Sequence, residues 1–148
     1  MSYQVFVQRF QDGYAAAMPT DAFESVFRPY IDRQELEFGR RHLRLPDGGE
    51  AELYCGDLAE LDCVMVSRFS LGMFLDLLTD FLRRVDSVIL APGGPTLMVD
   101  PAQAAHLPAE LADDVAVVSS GTDIQNALQL SYAPSRISWY GTASLSWD

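Results

Sequence analysis

The chain has 148 residues and no lysine; all ten of its basic residues are arginine, and they stand against 21 acids for a formal net charge of −11. A surface so short of positive charge repels phosphate, which argues against DNA or RNA as a direct ligand and favours a basic partner. Cysteine and histidine are scarce as well, at two each. Cys55, Cys63, His42 and His106 are the residues from which a Cys2His2 zinc site would have to be built. Seven residues separate the cysteines, where structural sites bring them two to four apart, and the histidines lie far off in sequence, so no metal is expected.

Long apolar runs are missing too. The stretch from Leu71 to Leu82 is broken by Asp76 and Asp80 and falls short of the ~20 residues a bilayer requires. The opening Met1-Ser2-Tyr3-Gln4-Val5-Phe6-Val7-Gln8-Arg9 lacks the basic segment and apolar run of a signal peptide. The expectation is a cytoplasmic protein without a membrane partner, in which both cysteines are reduced thiols.

Catalytic signatures are absent in the same way. Ser119-Ser120-Gly121 follows a strand pattern and precedes a helix pattern but lacks the Gly-x-Ser-x-Gly elbow. Nothing flanking Cys55 or Cys63 supplies an activating base or an oxyanion hole to work with His106. Gly93-Gly94 is enclosed by Pro92 and Pro95 rather than opening a helix with Lys-Ser/Thr, so it reads as a turn and not a phosphate cradle. No catalytic residue and no cofactor are expected.

What is present describes an ordinary globular domain: 49% hydrophobic and 21% charged residues, at a length near the commonest domain size. The chain reads as a single domain over residues 1–148, with 132–148 as a candidate appended hairpin. The fold class is α+β, a mixed, mostly antiparallel sheet carrying two or three helices. Residues 3–10 read as a central strand with Val5 and Val7 on one face and Phe6 and Phe10 on the other, buried on both sides. Asp21 and Glu24 match a capping box before Phe23, Val26, Phe27 and Tyr30, and Pro29 ends that helix. Residues 34–38 and 41–45 read as strands. Leu45-Pro46-Asp47-Gly48-Gly49 is a hairpin turn that pairs Leu43 with Ala51, Arg44 with Glu50 and His42 with Glu52, matching parity and charge together. Cys55 then falls inward with Ala51 and Leu53, and Glu52 is the expected partner of His42.

A strand at 64–69 precedes the clearest helix, capped by Ser70, with Leu71, Phe74, Leu75, Leu78, Leu82 and Val85 at helical steps. Short β-branched runs follow at 88–90, 96–99 and 115–118, then a last helix from Thr122. From Ser131 the sequence is free of acids until Asp148, and Ile137 and Trp139, then Ala143, Leu145 and Trp147, alternate around Tyr140-Gly141-Thr142 as a terminal hairpin.

Two stretches are candidate interaction surfaces. Six acids, Asp47, Glu50, Glu52, Asp57, Glu60 and Asp62, occur with no base between Arg44 and Arg68. Such runs are commonly just solvated faces. With Tyr54 among them, the residues Glu50, Glu52, Tyr54, Asp57, Glu60 and Asp62 suit recognition of a basic protein. The second is the tail, through Tyr132, Trp139, Tyr140 and Trp147, for which packing on the core explains the same alternation.

The opening Tyr3 to Gly13, the Pro46-Asp47-Gly48-Gly49 turn, and the stretch with Gly94-Pro95-Thr96, Asp100, Gln103 and His106-Leu107-Pro108 resemble small, uncharacterised bacterial proteins. In size and acidity these are similar to immunity proteins of polymorphic or contact-delivered toxin systems. The resemblance reaches to about Leu130. It implies a non-catalytic protein that neutralises a cognate toxin by direct binding, and it carries over no catalytic residue. Two other readings stand beside it: a small enzyme or ligand-binding domain with a site near His106 and the Pro92 to Pro95 turn, and a structural subunit that forms a homodimer through the tail hairpin.

Overall fold

A computed structural model describes residues 4–56, 59 and 61–129. The chain is α+β, and its described residues form three helices on one face of a nine-stranded, mostly antiparallel sheet. The strands are β1 (Gln4–Gln11), β2 (Tyr14–Ala16), β3 (Ile31–Glu35), β4 (Arg40–Arg44), β5 (Glu50–Tyr54), β6 (Cys63–Ser67), β7 (Ser87–Leu90), β8 (Thr96–Met98) and β9 (Val115–Val117). Their order is β3-β4-β5-β6-β1-β7-β8-β9, with β2 also pairing β1. The first strand is therefore central, as its apolar content predicts. The β8–β9 pair is parallel.

The helices α1 (Thr20–Phe27), α2 (Met73–Val85) and α3 (Gly121–Ala127) cover one face. There Phe23, Phe27, Phe74 and Phe81 meet at ring separations of 5.1 to 6.3 Å, against Val5, Val7, Leu43, Leu53, Val64, Val66 and Ile89 of the sheet. Removing these side chains from water supplies the main driving force for the fold.

The opposite face is covered only in part. The crossover from β8 to β9 runs through two 3₁₀ turns, Pro101–His106 and Ala109–Leu111, and sets Leu107 and Leu111 against Val88, Met98, Phe10 and Leu90. The other half carries no such strap among the described residues. The expectation that β1 is buried on both faces is not met on the second face: Val5 and Val7 on the helix side are buried, whereas Phe6 and Phe10 are half-buried, Phe10 even where the crossover packs against it.

Several local expectations are corrected by tertiary contacts. Residues 34–38 are not one strand: pairing with β4 ends at Glu35, and Leu36–Phe38 form a 3₁₀ turn closed by Gly39 at φ 67°. Asp21 is no cap, since α1 starts after Pro19 and has no side-chain cap bond. Ser70 does not cap α2 either. Its hydroxyl accepts from the Glu50 N–H (3.0 Å), while the Met73 N–H at the start of α2 is taken by Asp47 Oδ2 (3.1 Å) from the hairpin turn. The strand β2, which pairs Arg9 with Ala16, was not anticipated after the Asp12-Gly13 turn. The terminal hairpin and the candidates Tyr132, Trp139, Tyr140 and Trp147 lie outside the described residues.

Candidate binding surface

The β4–β5 hairpin forms with the anticipated register: Arg44 opposite Glu50, Leu43 opposite Ala51, His42 opposite Glu52. Its turn is held by the Asp47 carboxylate, which accepts from the Gly49 N–H (2.8 Å) as well as from Met73; these backbone donors hold the Asp47 carboxyl below the usual carboxylate range. The turn end is thereby fastened to α2.

The expected His42–Glu52 pair is replaced. His42 is buried, with Nδ1 2.6 Å from Asp32 Oδ1 on β3 and Nε2 2.8 Å from Glu50 Oε1 on β5. A β-bulge between Ile31 and Arg33 sets Asp32 out of register, where it reaches across β4. The hydrogen bond from His42 holds the Asp32 carboxyl below its ordinary value. Both ring nitrogens are engaged, so His42 offers no free base. Glu52 accepts from the Tyr54 hydroxyl (3.0 Å) and lies 3.9 Å from the Arg40 guanidinium, which also pairs with Glu35.

The acids of the candidate patch therefore spread along the hairpin. Glu50, half-exposed, belongs to the turn end with His42 and Arg44; Glu52 is buried midway; Asp62 is exposed at the opposite end beside Cys63. From Glu50 to Tyr54 the strand climbs about 14 Å, so Glu50 and Asp62 do not form one compact cluster. Asp57 and Glu60 lie outside the described residues.

The end of the sheet around Tyr54 holds the larger feature. Phe6, Met65, Tyr54, Arg40 and Glu35 are cross-strand partners in one row across five strands. Where the row passes from β1 to β5, the uncovered face sinks into a cavity of about 840 Å³ lined by Phe6, Leu36, Phe38, Tyr54, Cys63 and Met65, among others. Leu36 (63% exposed) and Phe38 (68% exposed) project at its margin on the 3₁₀ turn, and Glu37 between them lines the same cavity. Gly39 brings this turn against β5: a Cβ there would sit 2.6 Å from the Cys55 carbonyl oxygen. The sequence conceals this surface, because residues 34–38 read there as one strand rather than as a strand end and a 3₁₀ turn.

The groups that chemistry could use are committed elsewhere. Cys55 is buried inward as its parity predicts, with the Arg41 guanidinium 3.0 Å from its sulfur, and burial pushes its thiol up. Burial also raises the half-buried Cys63 thiol. His106 Nδ1 accepts from the Asp12 N–H (3.2 Å), with the nearest Asp12 carboxylate oxygen at 3.6 Å. Neither His106 nor the Pro92 to Pro95 turn lines the large cavity. The pairing of Phe6 with Leu90 and of Arg9 with Ser87 puts that turn at the Gln4 end of β1, while His106 is bound at the Gln11 end. The two parts of the alternative site are thus not brought together. Ser120 caps α3 by accepting from the Asp123 N–H (3.2 Å), and Ser119 donates to the Asp123 carboxylate (2.8 Å). Among the described residues, no group of three or more His, Cys, Asp or Glu side chains is arranged to hold a metal, and no helix is long and apolar enough to cross a membrane.

No family model, no curated protein and no solved structure matches the chain.

Proposed function

We propose that this chain is a non-catalytic protein-binding domain of the immunity type, which neutralises a basic toxin by covering it with the uncovered half of its sheet. The observation that carries the reading is the cavity of about 840 Å³ with Leu36 and Phe38 exposed at its margin. Aromatic and long aliphatic side chains in a concavity, ringed by charge, are the usual anatomy of a protein interface. The partner is one that inserts an apolar side chain between Phe6, Met65 and Phe38 and presents arginine or lysine to the exposed Glu37 and Asp62. The net charge of −11 supports a basic partner and a fast, salt-sensitive encounter.

The test is affinity capture from the source cells at low salt with wild-type chain and with Phe38→Asp, followed by titration of the purified partner against both. A basic protein held by wild type, weakened at least tenfold by Phe38→Asp and released as salt rises, supports the reading. Equal binding by Phe38→Asp and Leu36→Asp, or association insensitive to salt, overturns it.

A further inference from the structure

Arg41 is the one buried arginine among the described residues, at 5% exposure, and it lines the large cavity. Arg28, Arg40, Arg44 and Arg84 each have a carboxylate within 4.0 Å. Arg41 has none among the described residues. Its guanidinium lies over the Phe23 ring, 5.8 Å from the centroid, and Nη1 donates to the Gly39 carbonyl (3.4 Å), the Cys55 carbonyl (3.3 Å) and the Cys55 sulfur (3.0 Å). These partners are neutral, the Cys55 thiol being pushed up by burial. A guanidinium keeps its proton at any ordinary pH. A full positive charge thus stands on the cavity wall with no described counter-charge, which is unfavourable unless an anion joins it.

The unused part of the guanidinium decides where an anion can touch. Neither Nε nor Nη2 donates to a described atom; Nε is sealed from solvent and Nη2 is not, so contact falls to Nη2. The rest of the site differs in kind. Phe6, Phe38 and Met65 give the same cavity apolar walls, and negative charge stands around it, on the exposed Glu37 of its lining and on the exposed Asp62 beside Cys63. A fitting occupant therefore has an apolar body, one carboxylate attached to it, and positive charge further back. Within a polypeptide, only the C-terminal residue joins an apolar side chain and a carboxylate in one residue.

We infer that the group entering this cavity is the C-terminal residue of a basic chain, its apolar side chain against Phe6, Phe38 and Met65 and its terminal carboxylate on Arg41 Nη2. The inference rests on the reading of the cavity as the partner-binding surface and names what the partner inserts. A charge-assisted hydrogen bond to a half-enclosed guanidinium supplies the recognition of the chain end. Basic residues just before that end meet Glu37 and Asp62 and offset the repulsion that a net charge of −11 exerts on a bare anion.

The experiment is calorimetric titration of the full chain with the peptide acetyl-Arg-Gly-Arg-Gly-Phe, once with a free C-terminal carboxylate and once as the C-terminal amide. The expected result is one site per chain and binding of the free carboxylate at least tenfold tighter, the share of a charge-assisted hydrogen bond. Attraction to the net negative charge alone would favour the amide, which is the more positive peptide. Arg41→Met should bind the two peptides alike, and Arg41→Lys, which keeps the charge but not the fork, should retain a smaller preference. Equal affinity in wild type, tighter binding of the amide, no binding of either peptide, or a full preference surviving Arg41→Met overturns the inference. Removing the last residue of the captured partner separates it from the reading it rests on. Binding that needs Phe38 yet survives this trimming overturns the chain-end assignment alone, whereas binding indifferent to Phe38→Asp overturns both.

Discussion

Replacing Gly39 by alanine separates two costs that positive-φ glycines usually combine. Gly39 and Gly48 both close turns on the β4–β5 side of the sheet, at φ 67° and 86°. At Gly48 a Cβ meets nothing within 4 Å, so Gly48→Ala costs only the left-handed conformation, about 1–2 kcal/mol. At Gly39 the same Cβ would lie 2.6 Å from the Cys55 carbonyl oxygen, which is backbone and cannot swing away. Relief requires the turn to part from β5, straining the Cys55 N–H to Gly39 carbonyl bond (3.0 Å) and the Arg41 contact to the Cys55 carbonyl (3.3 Å). Overpacking of this kind adds about 1–3 kcal/mol and a weakened hydrogen bond about 0.5–1.5, so Gly39→Ala should lose roughly 3–6 kcal/mol in all. That is a large share of a typical 5–15 kcal/mol stability. Urea unfolding followed by far-UV circular dichroism is the assay, because both tryptophans, Trp139 and Trp147, lie outside the described residues and would report on the tail. Equal losses in the two alanine variants would refute the close approach of Gly39 to β5, and with it the position of Leu36 and Phe38 beside the cavity.

Further outcomes follow from the same geometry. Phe81→Ala opens a hole at the centre of the aromatic cluster and should cost about 3–5 kcal/mol in urea unfolding; a loss below 1 would place the cluster elsewhere. The Asp47 carboxyl is held low in the folded state, so its contribution is present above the ordinary carboxylate value near 4 and disappears as pH falls through the depressed one. Asp47→Asn should therefore flatten the loss of stability below about pH 4, measured as the urea midpoint against pH; an unchanged slope would contradict the bonds to Gly49 and Met73. Because burial raises both thiols, a disulfide reagent should react slowly near neutral pH, and faster as pH rises. The half-buried Cys63 should react before Cys55, and Cys63→Ser should remove the first phase; an intact first phase would reverse the assignment.

Local signals in the sequence settled the hairpin, the central strand and the core face of α2. Each rests on a period or a turn whose physics is complete within about fifteen residues. Pro46, Asp47 and Gly48 dictate the turn, and the alternation on either side leaves a single register that buries Leu43, Ala51 and Leu53 together. The spacing of Phe74, Leu78, Phe81, Leu82 and Val85 likewise decides which side of α2 is buried.

Tertiary structure decided where polar groups find partners and which apolar residues stay uncovered. His42 bonds to Asp32 through a bulge ten residues away, and α2 receives its first cap from Asp47, 26 residues earlier; no local spacing encodes either. Leu36 and Phe38 look like strand residues in sequence because alternation alone cannot say where pairing stops. They are exposed because β3 ends at Glu35 and the crossover on the second face reaches only the β7–β8 side. Charge totals are a property of the sequence, but their grouping is not. Arg40 lies beside both Glu35 and Glu52, and His42 bonds to Asp32 and Glu50 instead of the Glu52 expected for it, since strand pairing sets side by side what the chain holds apart.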